Sequence, residues 1–357
     1  MLKIEQAREA ALAQAQAQVE EAKRRLAGEL LILAHHYERD EIVAAADFRG
    51  DSLELSRRAA ATEARYIVFC GVHFMAETAA ILARPDQRVL IPRPDAGCFL
   101  ADQAEPAALR AAWESLRKEI DVEQELLPVT YINSSAEVKA FVGLKGGAVC
   151  TSANAEKVLR WAFSRKPRVF FLPDQYLGRN VARRLGLPEE EIALWDPRFP
   201  GQDPASFRRA RLILWRGACR THARFLPEDV RRVREEHPGV KVIVHPECRP
   251  EVVELADEVG STSFIIRKVG ESPPGSIWAV GTEERLVARL AKENPDKVVF
   301  NLAEPPPFCP TMSLTQLEDL ARVLTGLLNG EERGRIEVPE EVAAPARAAI
   351  QRMLEAS

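Results

Sequence analysis

Strand-length runs of Val, Ile, Leu and Phe recur along the chain, separated by Ala-, Glu- and Arg-rich stretches whose apolar residues return at helical spacing. Apolar runs that do not alternate with polar residues predict strands covered on both faces, and the helical stretches supply the cover. The order of elements repeats three times. In the first copy the run from Leu30 ends at His35, Gly50-Asp-Ser52 follows, then a strand from Tyr66, a helix from about Met75, and Val89-Leu-Ile ahead of Gly97-Cys98. The second runs from Pro128 to Tyr131-Ile132-Asn133, Cys150-Thr-Ser152, Val169 to Asp174, and Leu212 to Trp215 ahead of Ala218-Cys219. The third has Val242 to His245-Pro246-Glu247, Gly260-Ser-Thr262, Trp278 to Thr282, and Val298-Val-Phe ahead of Phe308-Cys309.

These patterns predict an α/β fold of three pseudo-symmetric three-layer α/β domains with short parallel sheets, spanning residues 1–105, 106–225 and 226–313. A length of 357 residues, more than one hydrophobic core usually serves, agrees with several domains. Polar residues gather at the carboxyl end of each predicted strand, where open α/β sheets bind ligands, so three such edges facing one another would enclose a central active site. The stretch to about Leu26 is helical in pattern and poor in apolar residues, and should cover one edge of the first domain. From about Leu314 to residue 357 the tail is helical too, with Leu317, Leu320, Val323, Leu324 and Leu327 on one stripe, and is expected to pack back on the first domain.

Composition narrows the partners. Lys and Arg number 49 against 53 Asp and Glu, and no basic face is interleaved with aromatics, so nucleic acid is not expected. Met1 to Gln6 carries charges rather than a leader pattern, and no apolar run approaches the ~20 residues of a membrane span. A soluble, cytoplasmic protein is expected.

Six cysteines spread over such a chain do not suggest a disulfide scaffold. The repeat sorts them. Cys98, Cys219 and Cys309 each follow the last strand of a copy after a turn, whereas Cys70 and Cys150 sit in or beside apolar strands and read as core thiols; Cys248, beside the His245/Glu247 turn, stays open. Three equivalent cysteines without a fourth suggest a cluster with three thiolate ligands and one iron open to act as a Lewis acid. His35, Tyr37, Tyr131, Asn133, His245 and Glu247 supply donors and acid/base groups, and Ser52, Ser152 and Thr262 are hydroxyls in turns that can present backbone N–H groups to an anionic substrate. Taken singly, the histidines also read as satisfied core residues and the hydroxyls as plain helix caps. His73, His222 and Glu77 lie near the same edges with weaker parallels.

Over nearly its whole length the sequence resembles the quinolinate synthase family. The resemblance is carried by Ala34-His35-His36-Tyr37, Gly50-Asp51-Ser52-Leu53, the segment Phe69 to Thr78, Gly97-Cys98, Val129 to Asn133, Cys150-Thr-Ser152-Ala-Asn154, Leu172-Pro-Asp174, His245-Pro246-Glu247-Cys248 and Gly260-Ser-Thr262-Ser263. It implies condensation of iminoaspartate with dihydroxyacetone phosphate at a [4Fe-4S] cluster bound by Cys98, Cys219 and Cys309. It implies contacts to substrate and intermediates from His35, Ser52, Tyr131, Ile132, Asn133, Ser152, His245, Pro246, Glu247 and Thr262, with Tyr37, His245 and Glu247 in catalytic roles. An aspartate-oxidising enzyme is the transient partner that it implies. A cluster-dependent hydro-lyase acting on a hydroxy acid, or a redox sensor, would use the same cysteines.

Overall fold

A computed structural model describes residues 2–199 and 202–356, with side chains from residue 9 onward. Its strands form three sheets, and every ladder between named strands is parallel. The first contains β1 (Leu30–His35), β2 (Phe48–Gly50), β3 (Tyr66–Cys70) and β4 (Arg88–Leu90) in the order β2-β1-β3-β4. In the second, β5 (Leu126–Tyr131), β6 (Ala148–Cys150), β7 (Arg168–Leu172), β8 (Ile192–Trp195) and β9 (Leu212–Trp215) run β6-β5-β7-β9-β8. The third, of β10 (Lys241–Val244), β11 (Glu258–Val259), β12 (Ile277–Gly281) and β13 (Val298–Asn301), runs β11-β10-β12-β13. One topology thus occurs three times, with β8 as an addition at the edge of the second sheet.

The chain forms two compact units, Met1–Cys98 with Phe308–Val338 and Phe99–Pro307 with Pro339–Ser357. In the first, the helices Leu2–Arg25 and Leu317–Leu328 share a core with the sheet: Ala15, Val19 and Ala22 meet Leu317, Leu320, Val323, Leu324 and Leu327 around Ile32 and Val68. The whole apolar stripe of the tail is buried there, each aliphatic side chain contributing about 1.5–3 kcal/mol. The alanines let the two helices lie close, so a helix with few large apolar residues still covers the sheet.

The second unit holds the other two sheets. The final helix, Glu340–Glu355, lies against the helix Ala136–Leu144 and β6 rather than on the first sheet, so the tail expected to return as one piece divides between the two units. Its buried face is Ala343, Ala346, Ala349, Ile350 and Met353. Small residues allow the approach, and a Cβ built on Gly143 would overlap the Pro345 carbonyl. Gly143→Ala is therefore expected to lower stability by about 1–3 kcal/mol, read as an earlier urea midpoint. The repeat pattern did not predict β8; its short, partly exposed Ile-Ala-Leu-Trp run lies between a glutamate turn and Asp196.

Candidate active site

Matching registers give the three copies matching polar positions. His35 pairs with Gly50 and Tyr131 with Cys150, while Val244 pairs with Val259, which puts His245 at the same step of its copy. Two residues further along are Tyr37, Asn133 and Glu247. Ser52, Ser152 and Thr262 each lie two residues past Gly50, Cys150 and Gly260. Capping, the plainer reading of these hydroxyls, falls to the preceding residue in two of the copies: Asp51 accepts the N–H groups of Leu53 and Glu54, and Ser261 accepts that of Phe264. In the second copy Asn154 Oδ1 accepts the Thr151 N–H at 2.7 Å. Thr262 Oγ1 is buried and has no partner among the described residues.

In the first unit, His35 and Tyr37 are both buried, their rings 4.7 Å apart edge to face, and His35 Nδ1 accepts the Tyr37 N–H at 3.1 Å. Cys98 and Cys309 are half-buried. Thr311 Oγ1 is 3.4 Å from Cys309 Sγ, and the Arg39 guanidinium donates twice to the Ser313 carbonyl, at 3.0 and 3.1 Å, fixing the turn behind the thiol.

The second unit brings Tyr131, Cys219, His245 and Glu247 together, and adds His222 and Asp174. Glu247 is buried; His222 Nδ1 donates to its Oε2 at 2.6 Å and the Tyr131 hydroxyl donates to the same carboxylate. The Nδ1 also lies 3.3 Å from Cys219 Sγ, His222 Nε2 is 3.0 Å from Thr282 Oγ1, and the His222 and His245 rings stack at 4.3 Å. Burial pushes the Glu247 pKa up, but the two histidines and the donated hydrogen bonds outweigh it and hold the carboxyl below the usual range. Asp174 goes the opposite way: burial and the Glu247 charge raise it, against hydrogen bonds from the N–H groups of Leu177, Cys219 and Tyr176. One neighbouring carboxyl is thus kept ionised and the other pushed towards its neutral form, the pattern that separates base from acid roles. The ligand atoms of Cys219, His222 and Glu247 lie within 4.8 Å of one another, so this group can hold a metal ion.

Comparison with known proteins decides the family. A family model described as "Quinolinate synthetase A protein" matches residues 17–355. Quinolinate synthase of Herpetosiphon aurantiacus is 48% identical over 338 residues, covering 94% of this chain and 90% of its own. That of Acidobacterium capsulatum is 48% identical over 338 residues, covering 94% and 91%, and that of Streptomyces coelicolor 48% over 339 residues, covering 93% and 86%. This chain belongs to the quinolinate synthase family.

The family's enzymatic character agrees with a site rich in ionisable groups, and among the described residues no helix is long and apolar enough to cross a membrane. Cys70, Cys150 and Cys248 are fully buried, and burial raises all three thiol pKa values; Cys248 Sγ donates to the Gly281 carbonyl at 3.5 Å. They are core thiols, which settles Cys248. Only the other three are half-buried, and each is followed three residues on by a short 3-10 helix: Ala101–Gln103, His222–Arg224 and Met312–Leu314.

Sequence reasoning placed His222 only near the edge, because the matching positions in the other copies are Ala101 and Met312. The available signal was the Cys219-x-x-His222 spacing, which puts both side chains on one turn. Asp174 was legible only as part of a motif; its contact with the Cys219 N–H, 3.2 Å, spans 45 residues.

His245 titrates in a predictable direction. Burial first, then the neighbouring His222, lowers its pKa to about 3, with Glu247 opposing. Between an unfolded value near 6.5 and about 3 the unfolded state binds the extra proton, so this contribution is present above pH ~6.5 and lost as pH falls towards 3. Stability measured from pH 7 to 4 should fall less steeply in His245→Gln than in the parent; equal slopes would remove this assignment.

Proposed function

We propose that this protein condenses iminoaspartate with dihydroxyacetone phosphate to quinolinate, releasing phosphate and water, in NAD biosynthesis. The observation that carries the reading is the buried Glu247 carboxylate, held by His222 and Tyr131 beside the Cys219 thiol. The same reading takes residues 1–105, 106–225 and 226–313 as three domains, each contributing one cysteine. An aspartate-oxidising enzyme would supply the labile imine.

Cys98, Cys219 and Cys309 are the residues that would hold a [4Fe-4S] cluster. Their partial exposure suits them to be thiolate ligands, in contrast to the three core thiols. When bound, a cluster with three protein ligands supplies one Lewis-acidic iron for a hydroxyl or carboxylate.

The rest of the chemistry falls to side chains. The enamine carbon of iminoaspartate attacks the triose carbon that phosphate leaves, and isomerisation, ring closure and two dehydrations complete the pyridine ring. Glu247 takes a proton in dehydration, with its position set by Tyr131 and His222. His245, neutral at physiological pH, offers a ring nitrogen to the substrate rather than a charge. Tyr37, backed by His35, moves protons at the triose carbonyl. Ser52, Ser152, Thr262 and Asn133 orient the carboxylate and phosphate groups, and Ile132 and Pro246 line the substrate beside them.

A second reading is favoured by one observation: among the described residues, Cys219, His222 and Glu247 form a set suited to a single metal ion. Anaerobic purification with iron and sulfide counts, followed by assay of pyridine dicarboxylate from the two substrates, tests both. Matched iron and acid-labile sulfide with product formation support the proposal. Metal without sulfide favours the single ion, and a loaded protein that forms no product overturns the assigned reaction.

A further inference from the structure

The helix Gln175–Arg184, between β7 and β8, carries no residue assigned above to substrate, yet it touches both halves of the Glu247 site. At its start Asp174 Oδ1 accepts the N–H groups of Tyr176 and Leu177 at 2.8 and 2.9 Å, while Oδ2 accepts the Cys219 N–H. Six residues further along, Asn180 is buried, and its Nδ2 donates to the carbonyls of Pro246 at 2.8 Å and Cys248 at 2.9 Å. These two carbonyls stand on either side of Glu247.

The amide can point only one way. Turned over, it would set Oδ1 against two carbonyl oxygens and lose both bonds. Oδ1 itself is buried without a partner among the described residues, so the side chain is kept at this place by its two donors alone. The helix is held close to the sheet at Gly178, where a Cβ would overlap Leu214 and press on Phe171, and this seats Asn180 at the turn. On the other side of the turn Arg249 Nε donates to the Ala223 carbonyl at 2.8 Å, just past His222.

We infer that Asn180 is a positioning residue that fixes the His245-Pro246-Glu247-Cys248 turn, and with it the Glu247 carboxylate, against His222 and Cys219. The inference rests on the reading of Glu247 as the base. Asn180 touches no reacting atom; it acts by clamping the backbone on both sides of one that does. Displacement of a reacting group by an ångström can cost about a hundredfold in rate.

The test compares Asn180→Ala, Asn180→Asp and Asn180→Ser in the cluster-loaded enzyme. Both Ala and Asp should lower kcat about 10–100-fold, with KM for dihydroxyacetone phosphate within about twofold of the parent. Ser, which keeps one donor, should fall between and carries the test if another variant does not accumulate. Asp fills the same space as Asn but presents acceptors to two carbonyls, so a space-filling role predicts near-parent activity for Asp and a deficit for Ala. That order would overturn the inference, as would kcat within twofold of the parent in all the variants. Backbone hydrogen exchange of the His245–Arg249 segment, measured by mass spectrometry, should speed up in the variants. If the parent makes no quinolinate the reaction assignment fails by itself, while unchanged exchange in this segment defeats the clamp independently.

Discussion

Glu247→Gln is expected to cut quinolinate formation by about 10³-fold while leaving bound iron and sulfide at the parent level. A positioned general base contributes about 10²–10⁴ in rate, and the amide of glutamine cannot take a proton at working pH. The substitution keeps the volume of a side chain with essentially no exposed surface, and its amide oxygen can still accept from Tyr131 or His222. It also removes the charge that helps raise the Asp174 pKa, so the fold should tolerate it. Cluster assembly draws on the cysteines and not on this carboxylate, hence the separation of the two readouts. Product measured by chromatography beside an iron count decides the matter: turnover within tenfold of the parent would take the base role away from Glu247.

Cysteine replacements should divide into two groups of three. Cys98→Ser, Cys219→Ser and Cys309→Ser should each lose most of the bound iron together with the brown absorbance, since a serine hydroxyl is a poor substitute for a thiolate on iron. Cys70→Ala, Cys150→Ala and Cys248→Ala should retain iron and cost only about 1 kcal/mol each, the loss of one buried sulfur. The division follows from burial: desolvation keeps the second group as neutral thiols, and a thiol must lose its proton to bind metal. Iron retained in all of the first three variants would end the cluster assignment. Loss of iron on replacing Cys248, two residues from His245-Pro246, would instead show that the turn and the cluster depend on each other.

Much of this is legible in the sequence. Fully buried parallel strands demand near-continuous apolar runs, so β1, β5, β7, β9, β10 and β12 announced themselves, and the polar residue ending each first strand stood out by contrast. The threefold recurrence singled out Ser52, Ser152 and Thr262 although any one of them alone reads as a cap. In the folded protein the caps of the first and third copies are Asp51 and Ser261, a distinction of one residue that sequence spacing does not resolve. β8 escaped because a short, partly exposed edge strand carries little hydrophobic signal.

The chain alone determined the elements, their order and the residue types at each strand end, because periodicity and turn chemistry are local properties. Tertiary structure decided which of those residues meet. The His222–Glu247 contact, the tie from Asp174 to Cys219 and the seat of the final helix on Ala136–Leu144 join segments 25, 45 and about 200 residues apart. Such pairings depend on how helices and sheets stack, and on small residues such as Gly143 that permit close approach, so no spacing along the chain encodes them.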